Sequence, residues 1–314
     1  MNVNESELSH FVDMDDPQSV LEEVKTIVLM AFTRFDFGPI DRAFSDFVDL
    51  FAGRYPGYRK CNTRYHDLKH TTDTLMALAR LIQGATATGI VMTRRGVSLA
   101  LISALMHDTG YIQTIDDQTG TGAKYTLSHV DLSIDFMSGY FNDNGYPRAD
   151  FYFCRNIVRC TGLDVRLKNI HFSDSENETL GKMLGTADLQ GQMADRVYLE
   201  KLIYLYREFR EGGVTAFKSE LDLLQKTPDF YKMTLKRFEN ELDGVWQYMR
   251  YHFKTRWDLN EDPYKKTIEA HIAYLKHIIR YHSDNYRDHL RRGRLIPDVD
   301  ERVRINYQTK TSDT

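Results

Sequence analysis

The sequence predicts an all-α fold. Apolar residues recur every three to four positions along most of the chain, strand-like alternation is nearly absent, and the breaks between periodic stretches are short and rich in turn residues. The opening MNVNESELSHFVDMDD, residues 1–16, is acidic and aperiodic and is expected to fray as a flexible N-terminus. Helix should begin at Asp16-Pro17. An aspartate able to cap and a proline suited to the first turn are followed by Val20, Leu21, Val24, Ile27, Val28 and Phe32 on one face. The same spacing predicts helices over 39–52, 66–83, 96–108, 126–141, 149–161, 175–211, 214–225, 229–255 and 264–291, with starts marked at Thr227-Pro228 and Asp262-Pro263. QTGTG at 118–122, NDNGYP at 142–147 and EGG at 211–213 supply the turns. No Pro-, Ser- or Gln-rich linker divides the chain. A single domain is therefore expected, with a core over 17–212, a C-terminal helical extension over 213–292 packed on it, and a tail over 293–314.

A hydrophobic fraction of 42% over 314 residues supplies a sizeable core and excludes a disordered chain. Lys and Arg total 41 against 45 Asp and Glu, so a net charge of −4 gives no general attraction for nucleic acid polymers or anionic membranes, although a small anion could find a local site. The most apolar run, VSLALISALM, is about half the roughly 20 residues that cross a bilayer and reads as a buried helix. Three cysteines, Cys61, Cys154 and Cys160, without a CxxC pair suit a reducing compartment, so the expected address is cytoplasmic. Aromatic residues crowd the C-terminal helices, among them Phe230, Trp246, Phe253 and Trp257. Core packing and a homodimer contact through those helices are the expected uses.

Three stretches carry chemistry. In YHDLKH, residues 65–70, His66 and His70 stand four apart and would share one helix face, although such a pair alone also occurs as hydrogen-bonded core. Residues 97–108, VSLALISALMHD, end an apolar helix in His107-Asp108. Groups buried there need a partner of opposite charge or a metal ion, and a divalent cation suits both; an Asp–His ion pair or a helix cap at Gly110 is the structural alternative. In LGTADLQGQMAD, residues 184–195, Asp188 is a lone carboxylate among small and apolar residues, either a ligand or an N-cap. Imidazoles with carboxylates favour Zn, Fe, Mn or Mg over thiolate-seeking metals.

The ordered set YHDLKH, HD at 107–108 and TADL at 186–189 resembles the HD-domain metal-dependent phosphohydrolases, and within them most closely the catalytic domain of class I cyclic-nucleotide phosphodiesterases. That family's YHNxxHAxDV is similar to YHDLKHTTDT at Tyr65, His66, His70 and Asp73, its HD pair to His107-Asp108, and its ADLS or ADIS segment to Ala187-Asp188-Leu189. The likeness covers residues 60–200. It implies an HD-domain, phosphodiesterase-like helical bundle in which His70, His107, Asp108 and Asp188 ligate a divalent cation, Asp108 bridges to a second, and His66 is the general acid. In such a family water held by the metal becomes hydroxide near neutral pH, because coordination lowers its pKa to about 7, and attacks phosphorus in line. An imidazole suits the acid role because its pKa lies near the working pH.

The chain departs from the resembled patterns, and the glutamine with which those phosphodiesterases grip a purine has no match. HDTGY stands for HDxDH, Asp67 for an asparagine, and IVRCTG for the His-His pair of the HD-GYP group. The resemblance places His129 near a second metal or the phosphate, with an ordinary half-buried histidine as the alternative. Lys124, Arg155 and Arg159 are candidate phosphate partners or solvated helix faces, and Asp195 and Arg196 candidate supports for Asp188. The expected function is a metal-dependent phosphodiesterase acting on a cyclic nucleotide or related small phosphoester with one or two divalent ions. A nucleotidase or dNTP triphosphohydrolase, favoured by HDTG, is the second reading, and a non-catalytic ligand sensor the third.

Overall fold

The computed structural model describes residues 11–295, and among these the chain forms helices with no strand and one isolated bridge between Tyr58 and Thr114. The all-α expectation holds. In order, the helices are α1 Pro17–Ala31, α2 Gly38–Ala52, α3 Leu68–Ala87, α4 Arg94–Met106, α5 His129–Asp143, α6 Arg148–Arg159, α7 Ser175–Ala194, α8 Tyr198–Glu211, α9 Glu220–Asn240, α10 Tyr248–Trp257 and α11 Pro263–Tyr281. Side-chain caps set many of the starts: Asp16, Asp67, Thr93, Asp174, Ser219 and Asp262 each accept from amides of the first turn, which would otherwise lack partners.

Several boundaries differ from expectation, and the helix expected over 264–291 ends at Tyr281, followed by a 3₁₀ segment over Ser283–His289. The single helix expected over 175–211 is two, because Asp195 leaves helical geometry at ψ 130° and its carboxylate takes the Val197 amide at 3.2 Å together with the lysines Lys69 and Lys201. The break expected at Thr227-Pro228 is absent, and α9 runs through Pro228. Pro228 cannot serve the Leu224 carbonyl, yet the helix continues through it with buried residues on both sides. The chain breaks instead after Asn240, where Asp243 (φ 50°) and Gly244 (φ 65°) adopt left-handed backbone. At the ends, residues 1–10 of the expected flexible start and 296–314 of the expected tail lie outside the described residues. Within them, the Phe11 ring lies 4.4 Å from that of Trp257 at a tilt of 41°, and the Leu295 carbonyl accepts from the Tyr204 hydroxyl at 2.9 Å.

The fold is organised around α3. It packs against α1, α4, α7 and α10, and it is buried on every face from His70 to Ala85. A helix wrapped in this way carries its polar groups into the interior, where they must be paired. Gly84 allows one of these contacts: a Cβ there would lie 2.0 Å from the Tyr248 carbonyl oxygen, so the start of α10 rests on bare α3 backbone. Alanine is the better helix former by up to about 1 kcal/mol, but the obstacle is backbone and cannot swing away. We expect Gly84→Ala to destabilise the protein by about 1–3 kcal/mol net, read as a lower urea midpoint. An unchanged midpoint would show that α10 shifts freely. Among the described residues, no helix is long and apolar enough to cross a membrane.

Candidate metal centre

The chemical side chains arrive from three helices. Asp67 caps α3 by accepting from the His70 amide at 2.9 Å, so the helix starts at Leu68 and His66 precedes it. The expectation that His66 and His70 share a helix face is thus corrected, although their rings still meet edge to face at 5.7 Å. Apolar α4 ends at Met106, and His107 and Asp108 follow in its last turn, fully buried. The His107 Nδ1–H donates to the Ala104 carbonyl at 2.8 Å, which leaves Nε2 as the free lone pair. Gly110 lets the next turn press on α5, since a Cβ there would lie 2.1 Å from the His129 carbonyl oxygen. Asp188 sits well inside α7, whose N-cap is Asp174; the N-cap alternative for Asp188 is overturned.

These side chains converge. Nε2 of His70 lies 3.1 Å from Oδ2 of Asp108 and 3.2 Å from Oδ1 of Asp188, while Nε2 of His107 lies 3.3 and 3.7 Å from the same oxygens. The two Nε2 atoms are 3.4 Å apart. A cation with bonds of about 2.1 Å holds neighbouring ligands about 3.0–3.4 Å apart at octahedral or tetrahedral angles, and most of these separations match those edges. Oδ2 of Asp108 is buried yet accepts no well-directed hydrogen bond, as an atom aimed at a common centre should. Two imidazoles and two carboxylates fit a borderline or hard divalent ion such as Zn, Mn, Fe or Mg. His70, His107 and Asp108 form a buried group able to hold one.

Protons must leave when a cation enters. Burial opposes charge on His70, but the Asp108 and Asp188 carboxylates outweigh it and raise the imidazole from 6.5 to about 9. His107 is raised well above its ordinary value against the same burial, chiefly by Asp108. Asp108, despite burial, is held well below the usual carboxylate range by His107 and His70. The raised His70 value stabilises the metal-free fold fully below about 6.5, and this contribution is lost as the pH rises through about 9. Divalent-ion affinity is therefore expected to climb with pH over that window and to release protons, measurable by calorimetry in two buffers of unlike ionisation enthalpy. A buffer-independent heat with flat affinity would contradict the arrangement.

Around the centre the other candidates divide. Nδ1 of His66 lies 2.7 Å from Oε2 of Glu208, whose Oε1 accepts from the amides of Arg64 and Tyr65 at 2.7 Å each. His129 donates from Nδ1 to the Thr126 carbonyl at 2.7 Å and brings Nε2 within 3.8 Å of Oδ1 of Asp108, with burial pulling its imidazole below the ordinary value. Asp188 is steadied by Gln192, which donates to its Oδ1 at 3.3 Å and accepts from the Tyr65 hydroxyl at 2.6 Å. Asp73 and Asp195 belong to a buried network with Lys69 and Lys201. Lys124 is engaged by Asp117 and Thr119, Arg155 lies over Tyr152, and Arg196 is exposed. Among the described residues, no hydrogen bond or ion pair joins Lys124, Arg155 or Arg159 to the cluster. Sequence reasoning missed Glu208, Lys69 and Lys201.

Residues 114–251 match the model of a family described as Npun_R2479-like. That stretch holds His129, Asp188 and Glu208 and begins beyond His107-Asp108. Searches of curated proteins and of solved structures found no match.

Proposed function

We propose that the protein is a metal-dependent phosphohydrolase of the HD type that cleaves a small phosphoester, with a cyclic nucleotide or related small phosphodiester as the substrate class. The observation that carries this reading is the convergence of His70, His107, Asp108 and Asp188 on one point beside an imidazole, His66, that is already anchored. A divalent cation held by those four residues would act as a Lewis acid toward water and the phosphoryl oxygens. The chain supplies the rest. Asp108 turns Oδ2 to the two ligating imidazoles and Oδ1 to His129, which places His129 on the same carboxylate from the opposite side. His66, bonded through Nδ1 to Glu208, keeps Nε2 for the departing alkoxide, to which it would deliver a proton.

A binding-only pocket has no use for a carboxylate-anchored imidazole next to a cation site, and this weighs against a sensor. The nucleotidase or triphosphohydrolase reading draws support from Gly110 and Tyr111, which close-pack the space after Asp108. The test is metal analysis of the purified protein followed by a screen with Mn or Mg of cyclic mono- and dinucleotides, nucleoside triphosphates and monoesters. Conversion of a cyclic diester to a monophosphate without free phosphate supports the diesterase, and release of phosphate or triphosphate the second reading. Metal-loaded protein inert toward all of them overturns both.

A further inference from the structure

We infer that Tyr111 is a positioning residue whose ring sets the planes of both His66 and His129. Its centroid lies 4.1 Å from that of His66 at an interplanar angle of 11°, and 4.6 Å from that of His129 at 21°. The two imidazoles are themselves 6.2 Å apart and inclined by 31°. Each has one nitrogen tied down, His66 through Glu208 and His129 through the Thr126 carbonyl. A single hydrogen bond at Nδ1 still leaves the ring torsional play about its Cβ–Cγ bond. A stacked neighbour removes that freedom, because tilting the imidazole separates the two faces.

Tyr111 is itself immobilised. It is 1% exposed, its amide donates to the Asp108 carbonyl at 3.1 Å, and a Cβ on Gly122 would lie 1.7 Å from its carbonyl oxygen, so the 122 loop clamps its backbone. Three residues after Asp108, it links the orientation of the flanking imidazoles to the carboxylate at the centre. The ring is the working part.

The kinetic consequence rests on the hydrolytic reading, whereas the ring arrangement does not, and the experiment separates the two. In the wild-type protein, the carbon-bound ring protons of His66 and His129, assigned with His66→Gln and His129→Gln, are expected upfield of ordinary histidine positions by the Tyr111 ring current. Tyr111→Phe keeps those shifts, while Tyr111→Leu loses them on both residues with metal content unchanged. In the metal-loaded protein, Tyr111→Leu lowers kcat by about 10–100-fold with KM little changed, and phenylalanine restores most of it. Unshifted wild-type protons overturn the inference even where the leucine variant does not fold, as does a phenylalanine variant as impaired as the leucine one. If no phosphoester is turned over, the hydrolytic reading fails and the ring shifts still decide the role of Tyr111.

Discussion

On the proposed function, Asp108→Asn is expected to abolish divalent-cation binding and to lower phosphoester turnover by at least about 10³-fold, while far-ultraviolet circular dichroism stays helical. Asp108 is the residue on which every line of the site meets: Oδ2 lies 3.1 and 3.3 Å from the two buried imidazoles, and Oδ1 3.8 Å from His129. Asparagine keeps the shape and removes the charge. A neutral amide in this buried position no longer offsets a cation, and its nitrogen cannot ligate one. Metal catalysis contributes several kcal/mol, and each 1.4 kcal/mol is tenfold in rate, which sets the size of the loss. Metal content, turnover and dichroism should be measured on one preparation. If the variant keeps both its metal and its turnover, the convergent cluster is a structural ion-pair network and the assignment of the metal and the chemistry to Asp108 falls.

Much of this was readable in the chain because the signals are local. Asp16-Pro17 and Asp262-Pro263 announce helix starts through short-range capping, and each cap is present. His107-Asp108 stands out because charge after an apolar run demands a partner, a demand visible in the sequence alone. What escaped depends on distance or on competition between neighbours. Glu208 lies 142 residues from His66, within YLEKLIYLYREFRE, where it reads as one more charge on an amphipathic helix. Asp195 ends a periodic stretch where its carboxylate takes the Val197 amide and meets Lys69 from the distant α3 as well as Lys201, six residues on. Pro228, a sound local signal for a helix start, is overridden because Leu223, Leu224, Thr227 and Phe238 are buried residues of one helix on both sides of it. Tyr111 reads from sequence only as a departure from the resembled HDxDH pattern, whereas in the fold its ring stacks on the imidazoles of His66 and His129.

Glu208→Gln should separate proton delivery from metal holding. The carboxylate is 5% exposed and fully used: one oxygen takes the amides of Arg64 and Tyr65, and the other the Nδ1–H of His66. Glutamine has a single oxygen. If it stays on the two amides, the NH₂ group faces Nδ1 and requires that nitrogen to accept, so a ring carrying both protons meets donor against donor. The doubly protonated ring is the form that hands a proton to a leaving alkoxide. We therefore expect kcat to fall by about 10²–10³-fold, within the range a general acid contributes, with KM and metal content near wild type. His66→Gln should fall by a similar factor, and the double variant by little more than either single one, because a proton donor and the carboxylate that orients it act as one unit. A substrate whose leaving group needs no proton, such as a nitrophenyl ester, should be far less sensitive to all three variants. Additive losses, or equal losses on the activated ester, would remove His66 from the acid role and leave Glu208 as the structural clasp between α8 and the segment before α3.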